Sequence, residues 1–215
     1  MTILKFKNLM TDIIKEKETR ESILQAAREV FVEKGLNGAR MQEIADRAGI
    51  NKALLHYYFN NKENLFDTIF KEAFSLFWPK VNEEVIRNAP LNVFLKTVVT
   101  TYIDMLMQRP YLPVFILNEL QSNPERLERL IKASGFDPQL LIAKIEAEIA
   151  AGHCQPFSPK EIIINIISLS IFPFAARPLV ERVWFDNDPQ QYRQFIIERR
   201  ESLIRFIENA IFKSL

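Results

Sequence analysis

Apolar residues recur at spacings of three and four from Arg20 to Lys34, where Ile23, Ala26, Ala27, Val30 and Phe31 fall on one side of a helix. Thr19 stands before that run as an N-cap and Gly35 after it as a stop. The pattern then shortens. A helix over about Met41 to Arg47 turns Ile44 and Ala45 inward, Gly49 breaks the chain, and Asn51 caps a third helix over Lys52 to Tyr58. Asn60 and Glu63 have the spacing of a capping box for a fourth helix, from about Lys62 to Arg87.

The punctuation downstream is also helical. Asn88-Ala89-Pro90 opens a helix that Arg109-Pro110 ends, and a shorter one follows from about Leu112 to Gln121. Asn123-Pro124 starts another, and Gly135-Phe136-Asp137-Pro138 separates it from a run over Gln139 to Ala151. Ser158-Pro159-Lys160-Glu161 and Asp188-Pro189-Gln190-Gln191 are strong start signals for the last two helices, about 159–182 and 189–212. The inward face of the last helix reads Tyr192, Phe195, Ile196, Arg199, Leu203, Phe206, Ile207 and Ala210. Pro173 should kink the helix that contains it, which either opens a cavity or shapes an interface. Period-2 alternation is absent, so the fold class predicted is all-α with no strands.

Composition narrows the chemistry. The 215 residues include only 5 Gly, too few for the turns of a β-sandwich or the loops of a nucleotide-binding α/β fold. An apolar fraction of 48% with 26% charged residues is that of a globular chain. With 2 His and 1 Cys, an internal disulfide is impossible, and the His153-Cys154 pair falls short of a metal ligand set. The lone thiol fits a cytoplasmic location. No signal peptide is read at the start, and the longest uncharged stretch, Ile162 to Ala176, is shorter than a membrane span needs. No G-x-S-x-G, P-loop or H-E-x-x-H motif is present, so no enzymatic activity, catalytic residue, cofactor or metal is expected. One window stands out. From Arg47 to Lys62 there are three cations, His56 and no acid, either a surface for a polyanion or chance placement on a solvated face.

That window lies on a motif. The run Gln42 to Leu55 has the spacing of two short helices joined by a glycine turn: Ala45 permits close approach, Gly49 takes the turn, and Ile44, Ile50 and Leu55 make the small core. The second helix then presents Lys52, Ala53, His56 and Tyr57 outward, as a helix placed in a DNA major groove would. Residues 19–65 resemble the DNA-binding domain of TetR-family transcriptional regulators. The resemblance rests on Phe31…Lys34-Gly35, Ile44-Ala45…Ala48-Gly49 and Tyr57-Tyr58-Phe59…Lys62-Glu63…Leu65.

The resemblance implies an N-terminal three-helix helix-turn-helix domain at 19–65, after an extension over 1–18, and a larger helical ligand-binding and dimerisation domain at 66–215. It implies DNA contacts from Lys52, Ala53, His56 and Tyr57 on the recognition helix. Asn51, at that helix's cap, and Arg40 and Gln42, at the start of the supporting helix, join them. Lys62 matches a lysine that grips phosphate. The sequence departs from the family pattern at Ala39-Arg40, Asn51, Ala53 and His56, which leaves the operator sequence unread. Tyr58 is expected inward and Tyr57 on phosphate. Lys5, Lys7, Lys15 and Lys17 form either an arm along the DNA or a plain helical extension.

The expected partners are a palindromic double-stranded operator, a second copy of the chain through helices 159–182 and 189–212, and a small effector, with no membrane. Phe77, Trp78, Tyr102, Met105, Phe115, Asn118, Ser168 and Phe172 are candidates to line a pocket for an apolar or aromatic molecule, the alternative being ordinary core. The function implied is a ligand-released repressor. The alternatives are an activator of the same fold or a helical adaptor that binds proteins and not DNA.

Overall fold

A computed structural model describes residues 3–75, 77–87, 89–134 and 136–212. Asn88 and Gly135, read above as parts of helix boundaries, lie outside the described residues, as does the side chain of Lys5. The described residues form twelve helices and no strand, with one isolated β-bridge between Cys154 and Phe212. The chain divides into two compact units: one takes in residues up to Glu72 together with Val114–Leu130, the other Ala73–Pro113 and Ile131 onward.

The first unit holds α1 (Ile3–Gly38), α2 (Met41–Arg47), α3 (Lys52–Tyr58) and, as far as Glu72, α4 (Lys62–Phe74). The helix expected from Arg20 instead begins at Ile3, and Thr19 is no cap: its hydroxyl donates to the Lys15 carbonyl one turn back, inside the helix. Gly35 does break α1, with φ +64 in the left-handed region that favours glycine. Ile23, Leu24, Val30 and Phe31 of α1 are buried, as are Ile44 and Ala45 of α2, Leu55 of α3, and Leu65, Phe66 and Ile69 of α4.

Two further helices lend this unit side chains that periodicity did not assign to it. These are α7 (Leu112–Ser122), from Val114 on, and α8 (Pro124–Ala133), to Leu130. The Phe115 ring stacks on Phe66 at 4.2 Å and lies 6.1 Å from Phe31. Beside them the Arg126 guanidinium donates to Asp67 at 3.1 Å and lies 4.0 Å from Glu119. Glu119 is 1% exposed and its Oε1 has no hydrogen-bond partner among the described residues. Burial raises its pKa above the usual glutamate range despite Arg126. A carboxyl raised in this way stabilises the fold while protonated, and that contribution is lost as pH climbs through the raised value. Glu119→Gln should therefore melt a few degrees higher than wild type at pH 8, with the gap narrowing toward pH 5; a lower melting temperature at pH 8 contradicts this.

The second unit is organised around α6 (Leu91–Gln108), which packs against α5 (Phe77–Ile86), α9 (Pro138–Ala150), α10 (Pro159–Ala175) and α12 (Pro189–Ile211). The single helix expected from Lys62 to Arg87 is two, α4 and α5. Pro79 explains the second start, because it has no N–H for a preceding turn and fits only the first turn of a helix. The helix expected over 159–182 is likewise split into α10 and α11 (Arg177–Trp184), bent by 72°, with Pro178 at the new start.

Pro173 stays inside α10 and leaves the Leu169 carbonyl without its usual donor. The Arg199 guanidinium of α12 donates to that carbonyl at 2.9 Å, which accounts for an arginine on the inward face. Phe206 and Ala210, also expected inward, are exposed; Leu203, Ile204, Ile207 and Ile211 fill that side instead. Asp188 caps α12 as expected, accepting from the Gln190 and Gln191 amides. Among the described residues no single helix is long and apolar enough to cross a membrane.

Candidate nucleic acid interface

The α2–α3 element owes its shape to a few local interactions. At the end of α2 the Gly49 amide donates to Asp46 and the Ile50 amide to Ala45, a Schellman closure that requires the positive φ of Gly49 (+68). The Ser22 hydroxyl donates to the Ala48 carbonyl and pins this turn to α1. Asn51 then caps α3, its side chain accepting from the Leu54 amide at 2.8 Å. Leu55 is fully buried and fixes the rotation of α3.

That rotation leaves Lys52, Ala53, His56 and Tyr57 exposed on one side of the helix, with Asn51 exposed at its start. Tyr57 is 77% exposed and meets half-buried Tyr58 edge to face at 5.5 Å. Arg40, in extended conformation just before α2, and Gln42 in its first turn are exposed as well. The Gln42 amide donates to Asp46 at 2.8 Å. Neither Arg40 nor Lys52 has a side-chain partner among the described residues, so both cations are available.

Two cations of the window are not. The Arg47 guanidinium donates to both oxygens of Glu33, at 2.8 and 2.6 Å, and lies 3.3 Å from Glu43. Its hydrogen bond holds the Glu33 carboxyl below the usual glutamate range. A window without acids in sequence is therefore partly neutralised in space by α1. Lys62, expected as a free phosphate-gripping group, donates its ammonium protons to the carbonyls of Leu36, Asn37 and Ala39 at 2.9, 3.2 and 3.4 Å. It ties the start of α4 to the end of α1 and to the entry of α2. Lys62→Ala should cost about 2 kcal/mol, the scale of charge-assisted bonds to partly buried acceptors. It should also leave the salt dependence of DNA binding unchanged in the folded protein. A wild-type melting temperature with a shallower salt slope would return Lys62 to the phosphate contacts.

The helix start beyond α3 also differs in detail. Asn61, not Asn60, caps α4, its side chain accepting from the Asn64 amide at 2.8 Å. The Asn60 carbonyl is engaged instead by the His56 ring.

The eight pocket candidates are not brought together. Phe115 and Asn118 belong to the first unit, and Ser168 and Phe172 are exposed on the outer side of α10. Phe77, Trp78 and Tyr102 pack with Phe74 and Phe136, with Trp78 stacked on Phe136 at 4.5 Å, while Met105 is buried one turn along α6. Burial pushes the Tyr102 hydroxyl up to about 12. These rings fill the space that a pocket would need. The second unit carries a cleft of about 580 Å³ elsewhere, lined by Phe174, Tyr192 and Ile196 together with Asp104, Gln108, Arg177 and Arg193.

The arrangement of α2 and α3, with a buried inner face and a free polar outer one, defines a helix-turn-helix nucleic-acid-binding unit. Residues 23–69 match the signature of bacterial regulatory proteins of the tetR family. Over this segment the chain is similar to that family. It is 29% identical over 109 residues to the fatty acid metabolism regulator protein of Bacillus subtilis, a match covering 50% of this chain and 56% of that one. The chain thus spans about half the length of that relative. It is 24% identical to the HTH-type transcriptional regulator RutR of Escherichia coli, over 83% of this chain and 89% of RutR. The solved structure of HlyIIR, a hemolysin II transcriptional regulator, superposes with a TM-score of 0.64 at 25% identity, covering 92% of this chain and 99% of HlyIIR. All three are regulators by name.

Proposed function

We propose that the chain is a ligand-responsive transcription repressor that binds a palindromic operator as a homodimer and leaves it when a small, largely apolar effector binds. The observation that carries this reading is the outer row of α3, where Lys52, Ala53, His56 and Tyr57 stand free while Leu55 anchors the helix from behind. A row of this kind suits major-groove base edges, and Lys52 and Arg40 suit the flanking phosphates.

One such helix reads too few base pairs for a specific site, and a twofold pair spaced by one DNA turn doubles the sequence read. The apolar residues Ile164, Ile167 and Phe172 of α10, 60%, 48% and 57% exposed, support pairing through the segments 159–182 and 189–212. The effector is assigned to the cleft beneath the start of α12, where Phe174, Tyr192 and Ile196 suit an apolar body and Arg177 and Arg193 a polar end. Its action is a population shift, favouring a form of the dimer that no longer fits the operator spacing.

Selection from random duplex DNA, with and without candidate effectors, tests the reading. The expected outcome is an inverted repeat with half-site centres about 10 base pairs apart. Enrichment of no sequence, or of a single unrepeated half-site by a monomer, would refute it.

A further inference from the structure

We infer that His56 reads the exocyclic amino group of an adenine or a cytosine in the major groove. The inference rests on the DNA-binding reading above and goes beyond it in naming the class of base.

His56 lies on the exposed side of α3, and its Nδ1 is 2.8 Å from the Asn60 carbonyl. A carbonyl oxygen only accepts, so Nδ1 is the nitrogen that carries the proton. In the neutral ring Nε2 is then left with a lone pair and no hydrogen. The ring is also held in place. Asn60 sits in the short turn between α3 and α4, fixed on one side by the Phe59 amide on Leu55 and on the other by the Asn61 cap of α4. The tip that His56 offers to a ligand is therefore a fixed hydrogen-bond acceptor.

An acceptor has few partners on duplex DNA. Phosphate and sugar oxygens are acceptors themselves, so they cannot satisfy it. The donors in the major groove are the N6 amino group of adenine and the N4 amino group of cytosine, whereas guanine and thymine present acceptors there. His56 thus differs in kind from Lys52 on the same face, which donates and can serve phosphate or guanine. Arg20, Asn64, Asp67 and Lys71 share the groove beside His56. None of them is needed to direct Nε2, because the tautomer is set by a backbone carbonyl.

The test is operator selection at pH 8 with wild type, His56→Phe and His56→Gln, followed by base analogues in the selected site. Wild type should enrich adenine or cytosine at one position per half-site. His56→Phe should lose that preference there and keep the others, while His56→Gln, whose amide oxygen accepts, should retain it. Removing the amino group, with purine in place of adenine or 2-pyrimidinone in place of cytosine, should weaken wild-type binding about tenfold and His56→Phe binding hardly at all. The analogue arm needs only the wild-type protein, so a poorly folded variant does not block the test. Guanine or thymine at the relaxed position, no relaxed position, or no loss of wild-type binding with the analogue would overturn the assignment. A wild-type protein that selects a sequence yet ignores the analogue refutes this inference alone, whereas one that selects nothing refutes the DNA-binding reading with it.

Discussion

Phe115→Ala is expected to destabilise the DNA-binding unit by about 3–5 kcal/mol, the cost of deleting a buried aromatic ring from a packed core. The side chain is 1% exposed and stacks face to face on Phe66, which α4 contributes from just beyond the helix-turn-helix. Removing it leaves a void against Phe31 and Phe66 that helices fixed by caps and salt bridges refill poorly. Thermal melting followed by circular dichroism should show a loss on the order of 10 °C, with operator binding lost in the same transition. Leu120→Ala on the same helix, where the side chain is 47% exposed, should stay within a degree or two and serves as the control. A Phe115→Ala protein that melts and binds like wild type would show that α7 is dispensable to the unit.

The second large effect is on assembly. Ile164 and Ile167 lie one turn apart on α10 and point away from the buried residues Ile162 and Ile166. Exposed apolar residues grouped on one helix mark an interface more often than a free surface. Replacing both with glutamate should leave each chain folded but place like charges across the proposed dimer seam, giving a monomer in sedimentation equilibrium. Operator affinity should then fall at least a hundredfold, since each half-site is bound without the effective concentration its partner supplies. A double variant that still sediments as a dimer would move the interface away from this face of α10.

The parts legible in the sequence were those set by short-range chemistry. The Gly49 turn, the Asn51 and Asp188 caps and the buried triplet Ile44, Ala45 and Leu55 each follow from residues within one or two turns of each other. The N-terminal extension was harder. Its lysines suited an arm along DNA and a plain helical extension equally, and Thr19 resembled a cap because nothing local excluded that role. Pro79 and Pro178 carried the signal for the breaks at α5 and α11, but they lie in apolar runs whose periodicity reads through them.

What remained hidden depends on contacts between distant segments. Phe115 is an ordinary core aromatic by pattern, and only the folded chain places it on Phe66. Arg47 and Lys62 read as free cations in a window without acids, yet Glu33 and the carbonyls at the end of α1 bind them from outside it. The pocket candidates carry a related ambiguity. Large aromatic residues satisfy a pocket and a core equally well on paper, and here Phe77, Trp78 and Tyr102 close on one another.

The central claim is that the outer row of α3 engages a DNA duplex with Lys52 as a free cation. The most direct measurement is operator affinity as a function of potassium chloride concentration for wild type, Lys52→Ala and Lys62→Ala. Wild-type affinity should fall steeply with salt, Lys52→Ala should bind more weakly with a slope shallower by about one, and Lys62→Ala should keep the wild-type slope. Affinity for duplex DNA that does not respond to salt, or a Lys52→Ala curve that overlays the wild type, would contradict the account.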